Sequence, residues 1–191
     1  MAPKVLFVLT SADKNLRGEQ TGWYLPEAAH PYYVLEPHAE IDFAAPKGPN
    51  PPVDEGSVKS FTDPHSVKFL NDPSVTSKLA TTKKLSDVSA ADYDAVFYVG
   101  GHGPFYRAGK VTAAVCHGPA ALIKATTTDG KSIFAGNEAT GFSNAEETTI
   151  KMAVPFLHED KTKELGGSCV KENEQWGPDV VVSGHLITGE L

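Results

Sequence analysis

The chain has 191 residues, 40% hydrophobic and 21% charged, with 17 Lys and Arg against 24 Asp and Glu and a pI near 5.4. That length suits a single domain, residues 1–191, with one sizeable core, and the net charge of −7 excludes a basic footprint for nucleic acid or an anionic membrane. The opening MAPKVLFVLT is too short an apolar run for a signal peptide or a membrane span, so a soluble protein of the cytoplasm, with the nucleus open to it, is expected.

Lys4 to Leu9, KVLFVL, is apolar without alternation and reads as a buried parallel strand. In WYLPEAAHPYYVL, Pro26 suits a first helical turn, and Pro31 predicts a kink or a restart. Glu40 to Ala45, EIDFAA, alternates as a second strand, and the Pro- and Gly-rich PKGPNPPVDEG after it predicts irregular structure. Between Asp63 and Asp87 two short helical pieces each open with a capping Asp and a Pro; apolar residues are sparse, which predicts a surface excursion. Ala95 to Val99 is a strand running into the turn GGHG.

VTAAVC is the next strand, and HGPAALIKA is its expected helix. DGKSIFAG and EATGF suggest strand pieces, and NAEETTIKM opens with Asn144 as N-cap and Glu147 three residues on, the spacing of a capping box. KTKELGG predicts a helix with a Gly C-cap, and DVVVSGHLITG a hairpin around Ser183-Gly184. Strands alternating with helices point to an α/β sandwich around a mostly parallel sheet, with its active site beyond the carboxyl ends of the strands. Only a short connection separates Val99 from Val111, whereas a parallel crossover needs about a dozen residues or more.

Cys116 stands at the bend between strand and expected helix. The free N–H groups and dipole of a following helix would lower its pKa from roughly 8.5, which makes it the candidate nucleophile, with His117 as candidate base. The alternative for Cys116 is a buried structural thiol, and for His117 an exposed residue at a helix start. Glu146 and Glu147 could simply complement a helix dipole, as could Glu27. Gly100, Gly101 and His102 in GGHG could be a plain turn or could bring backbone N–H donors to an oxyanion. His30, His38, His65 and His102 show no recognised ligand spacing, so no metal centre is expected. Cys116 and Cys169 are both expected reduced, since a chain of this size needs no disulfide.

At YVGGHGP, AVCHGPAAL and TGFSNAEE together, the chain resembles the ThiJ/PfpI superfamily, related to class I glutamine amidotransferases. LFVLTSADK, AAHPYYVL and EIDFAAPKGPNPP resemble its fungal glyoxalase III and heat-shock-chaperone branch. The resemblance implies a flavodoxin-like sandwich with a nucleophile elbow, a homodimer, and a cofactor-independent lyase turning methylglyoxal into D-lactate. It implies Cys116 as nucleophile, His117 and Glu147 as its triad partners, and Glu27 as the acid contacting it. Gly101, with its neighbours Gly100 and His102, falls in the oxyanion turn.

Relatives in this branch carry a further stretch between GGHGP and FYRAGK and continue beyond LITG, so segments absent between 104 and 105 and after 190 are one reading of the short connection. A holding chaperone acting on unfolded clients is the alternative from another class. A protein deglycase, a small-molecule hydrolase and a cysteine redox sensor are further options.

Overall fold

The computed structural model describes residues 2–99, 110–151 and 154–190. Every position of β1 (Lys4–Leu9) after Lys4 is apolar and buried, and a strand apolar on both faces is stable only between two covering layers. Its parallel neighbours are β2 (Glu40–Ala45) and β4 (Ala95–Val99), and β3 (Lys83–Lys84) extends the sheet beyond β2. On the other side β4 pairs in parallel with β5 (Val111–Val115), in the register Ala95↔Val111. The short connection between these two strands, with Pro104–Phe105, lies outside the described residues.

A separate two-stranded sheet joins β6 (Glu138–Ala139) to β7 (Ser168–Cys169). The hairpin expected at Ser183-Gly184 is formed by β8 (Asp179–Ser183) and β9 (Leu186–Glu190), with Gly184 at φ 59. β9 runs parallel to β5, which completes a seven-stranded sheet of order β3-β2-β1-β4-β5-β9-β8. All its pairs are parallel except β8 with β9.

Side chains alternate across this sheet. Val5, Phe7 and Leu9 face α1 (Leu25–Leu35) through Leu25, Ala28, Ala29 and Tyr32, whereas Leu6 and Val8 join Tyr98, Leu122, Ile133 and Phe134 on the opposite side. The Phe7 ring lies 4.9 Å from Phe97 and 6.0 Å from Phe43. α1 runs unbroken through Pro31, without the expected restart. Proline there removes one N–H, the partner of the Glu27 carbonyl, while buried residues on both sides of it tie the helix to the sheet.

Three short helices follow β2. α2 (Glu55–Ser60) begins inside the stretch expected to be irregular, because Asp54 accepts the Ser57 amide at 2.7 Å and so nucleates a turn. α3 (Pro64–Asn71) and α4 (Pro73–Ala80) start on Asp63 and Asp72 as expected. They are more than a surface excursion: Phe69 and Val75 are fully buried, with the Phe69 ring 5.8 Å from Trp23 and 5.4 Å from Tyr32. One large side chain per helix is enough to anchor each.

After Cys116 the expected α-helix is only a 3₁₀ segment, Gly118–Leu122. Ala120 bonds His117 at the short 3₁₀ spacing, and the β-branched Thr126, Thr127 and Thr128 do not extend the turn. DGKSIFAG forms turns in place of a strand piece, with Ile133 and Phe134 buried and Thr126 bridged to Ser132.

α5 (Asn144–Ile150) is capped by Ser143, not by Asn144. Ser143 has extended backbone, and its side chain and that of Glu146 make the reciprocal capping box. α6 (His158–Glu164) ends as expected in glycine: Gly166, at φ 86, donates to Lys163, and Gly167 donates to Thr162.

Phe69→Ala should therefore destabilise the protein by about 3–5 kcal/mol in urea unfolding. Val67→Ala, at a position 46% exposed on the same helix, should stay within about 0.5 kcal/mol. Equal small effects would return α3 to the status of a surface excursion.

Candidate active site

Cys116 follows the last residue of β5 and has φ 57, a left-handed backbone that a side chain disfavours. Two main-chain bonds hold it there. Its N–H donates to the Gly189 carbonyl at 2.9 Å, continuing the β5–β9 ladder, and its own carbonyl accepts from Phe142 at 3.1 Å. Gly141, at φ 153, lies against the bend: a Cβ there would come within 3.0 Å of the Cys116 carbonyl and of the His158 ring.

The bend turns the thiol toward its neighbour in sequence. Cys116 Sγ lies 3.4 Å from His117 Nδ1, and His117 Nε2 lies 2.7 Å from Glu147 Oε1. A carboxylate on Nε2 favours the tautomer with the proton on that nitrogen, which leaves Nδ1 free to accept. The His117 ring stacks on Phe142 at 4.1 Å, and Phe142 in turn meets the edge of Trp176 at 5.7 Å.

The two adjacent acids of α5 divide the work. Glu146 is consumed by Ser143 and by the Trp176 amide, at 2.8 and 2.9 Å. Glu147 is buried and gives its Oε1 to the imidazole. Sequence spacing could not separate these two acids.

Glu27 arrives from the first turn of α1, where it is buried and hydrogen-bonded to Cys116. Burial raises its pKa to about 8, so it holds a proton at neutrality. The Cys116 thiol is itself pushed up, first by burial and then by the charges of Glu27 and Glu190; the His117 amide opposes this. The expectation of a helix-stabilised thiolate is thus corrected: five residues of 3₁₀ segment supply little dipole, and acids surround the sulfur.

Behind the imidazole, His158 is lowered to about 4 by burial and by the charge of His117, which keeps it neutral. Tyr24, at the cap of α1 and 39% exposed, is raised by burial and by the charges of Cys116 and Glu27. Gly100, Gly101 and His102 lie outside the described residues. Among those described, the His, Cys, Asp and Glu side chains grouped closely enough to hold a metal ion are His30, Asp63 and His65, and none belongs to this site. Both cysteines are free.

Phe142, Trp176, His158, Glu190 and Gly141 were not singled out from the sequence. Only Gly141 carried a local signal, as the glycine of TGF immediately before the residue that stacks on His117.

No family model matches the chain. Among curated proteins it is 30% identical to the glutathione-independent glyoxalase HSP31 of Saccharomyces cerevisiae, over 99% of this chain and 92% of that protein. It is 28% identical to glyoxalase 3 of Candida albicans, over 97% and 91%. Among solved structures, the 24 kDa rapid encystment protein of Francisella tularensis superposes with a TM-score of 0.89 at 33% identity, covering 99% of this chain and 92% of that one. Glyoxalase III of Candida albicans follows with a TM-score of 0.83 at 25% identity, over 99% and 91%. With a left-handed cysteine at the end of a parallel strand, in a fold these structures share along their length, the chain belongs to the family of the glutathione-independent glyoxalase HSP31.

Proposed function

We propose that this protein is a cofactor-independent glyoxalase that converts methylglyoxal to D-lactate, with Cys116 as nucleophile, His117 as proton carrier, Glu147 as its orienting acid and Glu27 as a second proton donor. The observation that carries this reading is the relay from Cys116 Sγ to His117 Nδ1 and from His117 Nε2 to Glu147, with the buried Glu27 carboxyl also accepting from the thiol. The names of the relatives, glutathione-independent glyoxalase and glyoxalase 3, support the substrate class.

In this scheme Cys116 Sγ bonds to the aldehyde carbon as its proton passes to His117 Nδ1, which returns it to the new alkoxide. A thiol held above its ordinary pKa makes this concerted transfer the natural route, because a free thiolate would be costly among buried acids. His117 then removes the hydrogen of that carbon as a proton. The electron pair forms a carbon–carbon double bond, and Glu27 protonates the neighbouring carbonyl oxygen to give an enediol.

Collapse of the enediol returns the hydroxyl proton of the first carbon to Glu27, while His117 delivers its proton to the second carbon. The product is a lactoyl thioester. Water hydrolyses it, freeing the thiol and lactate, so that methylglyoxal and one water balance lactic acid. Each proton leaves and returns through a residue placed against the sulfur or the imidazole, and the scheme needs no redox partner.

Cys116→Ala should reduce D-lactate formation in the absence of glutathione to background, and Glu147→Gln should lower kcat by about 10²-fold or more by releasing the imidazole from its tautomer. Full turnover by Cys116→Ala would refute the scheme.

A pH profile tests Glu27. Because the scheme uses its protonated form, kcat falls as pH rises through about 8, and Glu27→Gln, whose amide cannot transfer a proton, should lose most turnover at every pH. Stability carries the same sign. Between the unfolded value near 4.5 and the folded value near 8, the native state keeps a proton that the unfolded state releases, so stability falls as pH rises through that window. Thermal melts of Glu27→Gln should accordingly gain more over the wild type at pH 8 than at pH 5.

A further inference from the structure

His30 and His65 are far apart in sequence, yet the packing of α1 on α3 brings both onto one carboxylate. His30, one helical turn after Glu27, places Nε2 3.0 Å from Asp63 Oδ1. His65, in the first turn of α3, lies with its ring 5.9 Å from that of His30 and stacks on Tyr33 at 5.6 Å. One ligand atom from each of His30, Asp63 and His65 lies within 4.8 Å of the other two.

Asp63 has more capacity than its cap requires. Oδ1 already accepts the amides of His65 and Ser66 at 3.1 Å each, as well as facing His30. Oδ2 is buried, with the Ser66 hydroxyl beside the carboxyl. A buried carboxylate oxygen keeps accepting capacity beyond one hydroxyl, which a cation or a water can fill.

The distances suit a cation. Two neighbouring ligands of a tetrahedral ion bound at about 2.1 Å stand about 3.4 Å apart, and His30 Nε2 and Asp63 Oδ1, now 3.0 Å apart, reach that separation by a small side-chain adjustment. His65 is exposed and closes the remaining gap by rotating its side chain. Lys68 does not occupy the position: its Nζ is held over the Tyr33 ring at 4.1 Å, beside Asp72.

We propose that His30, Asp63 and His65 form a binding site for a borderline divalent transition metal of the Zn²⁺ class, completed by water. Two imidazoles and one carboxylate select such an ion over Ca²⁺ or Mg²⁺, which prefer all-oxygen shells. The ion clamps α1 to α3 one turn from Glu27, so it stiffens the helix that carries an acid of the candidate active site without entering that site. The proposal is independent of the glyoxalase reading.

The test is a Zn²⁺ titration of the untagged, chelator-stripped full chain against a chromophoric competitor. One equivalent should bind to the wild type, to Cys116→Ser and to the exposed-surface control His38→Ala. Binding should weaken at least about tenfold in His65→Ala and in His30→Gln. Because His65 is exposed, its variant keeps the fold, which circular dichroism checks, and Zn²⁺ should raise the melting temperature of the wild type but not of His65→Ala. Unchanged Zn²⁺ affinity in His65→Ala, or an equivalent that disappears with Cys116→Ser, overturns the proposal. The absence of any bound equivalent in the wild type also overturns it and leaves the cluster a hydrogen-bonded staple.

Discussion

The backbone of Cys116 is held left-handed by two main-chain hydrogen bonds, one to Gly189 of β9 and one from Phe142. An L-residue in that conformation gives up roughly 1–2 kcal/mol, and the surrounding sheet over-determines it. Most of what distinguishes the site follows from this bend. It carries the thiol out of the plane of β5, sets His117 beside it, and requires Gly141 to pass so closely that no side chain fits. Phe142, whose amide pins the bend, also stacks on the imidazole that serves the sulfur, so one residue fixes both partners.

The electrostatics of the site are those of a crowded acidic interior. Glu27, Glu147 and Glu190 are all buried, and each acid near the sulfur makes a bare thiolate less favourable. The burden is eased by keeping protons on Glu27 and on the thiol and by engaging Glu147 with an imidazole. His158 stays uncharged, its pKa lowered to about 4 chiefly by burial. The result is a thiol that keeps its proton beside an imidazole able to accept it.

Legibility in the sequence followed locality. β1 shows as an unbroken apolar run, α3 and α4 as Asp-Pro starts, and the β8–β9 hairpin as Ser-Gly between alternating residues, because each is decided within a few positions. The helix expected after Cys116 is only a short 3₁₀ segment, because the β-branched Thr126, Thr127 and Thr128 follow one turn later and the Ala/Leu pattern outweighs them in the sequence. The cap of α5 was misplaced by one residue, because Ser143 and Asn144 are both good caps and only backbone geometry separates them. At the site, Cys116 was legible from strand, bend and Gly-Pro. Glu147 rather than Glu146 came from family resemblance, because their difference lies in which one Trp176 and Ser143 consume. Phe142, His158 and Glu190 act across the fold and leave no local trace.

The bond from Cys116 to Gly189 has a bearing on how the protein is made. It joins the centre of the chain to β9, and Glu27 reaches the same sulfur from α1. These contacts span long stretches of sequence, and long-range contacts of this kind form late, after the loops between them close. A chain still emerging from the ribosome, with β1 to β5 already synthesised, therefore carries Cys116 as an ordinary thiol on an unbraced turn. The bent backbone of Cys116 is braced only when β9 docks, so the bend and the sheet are completed together.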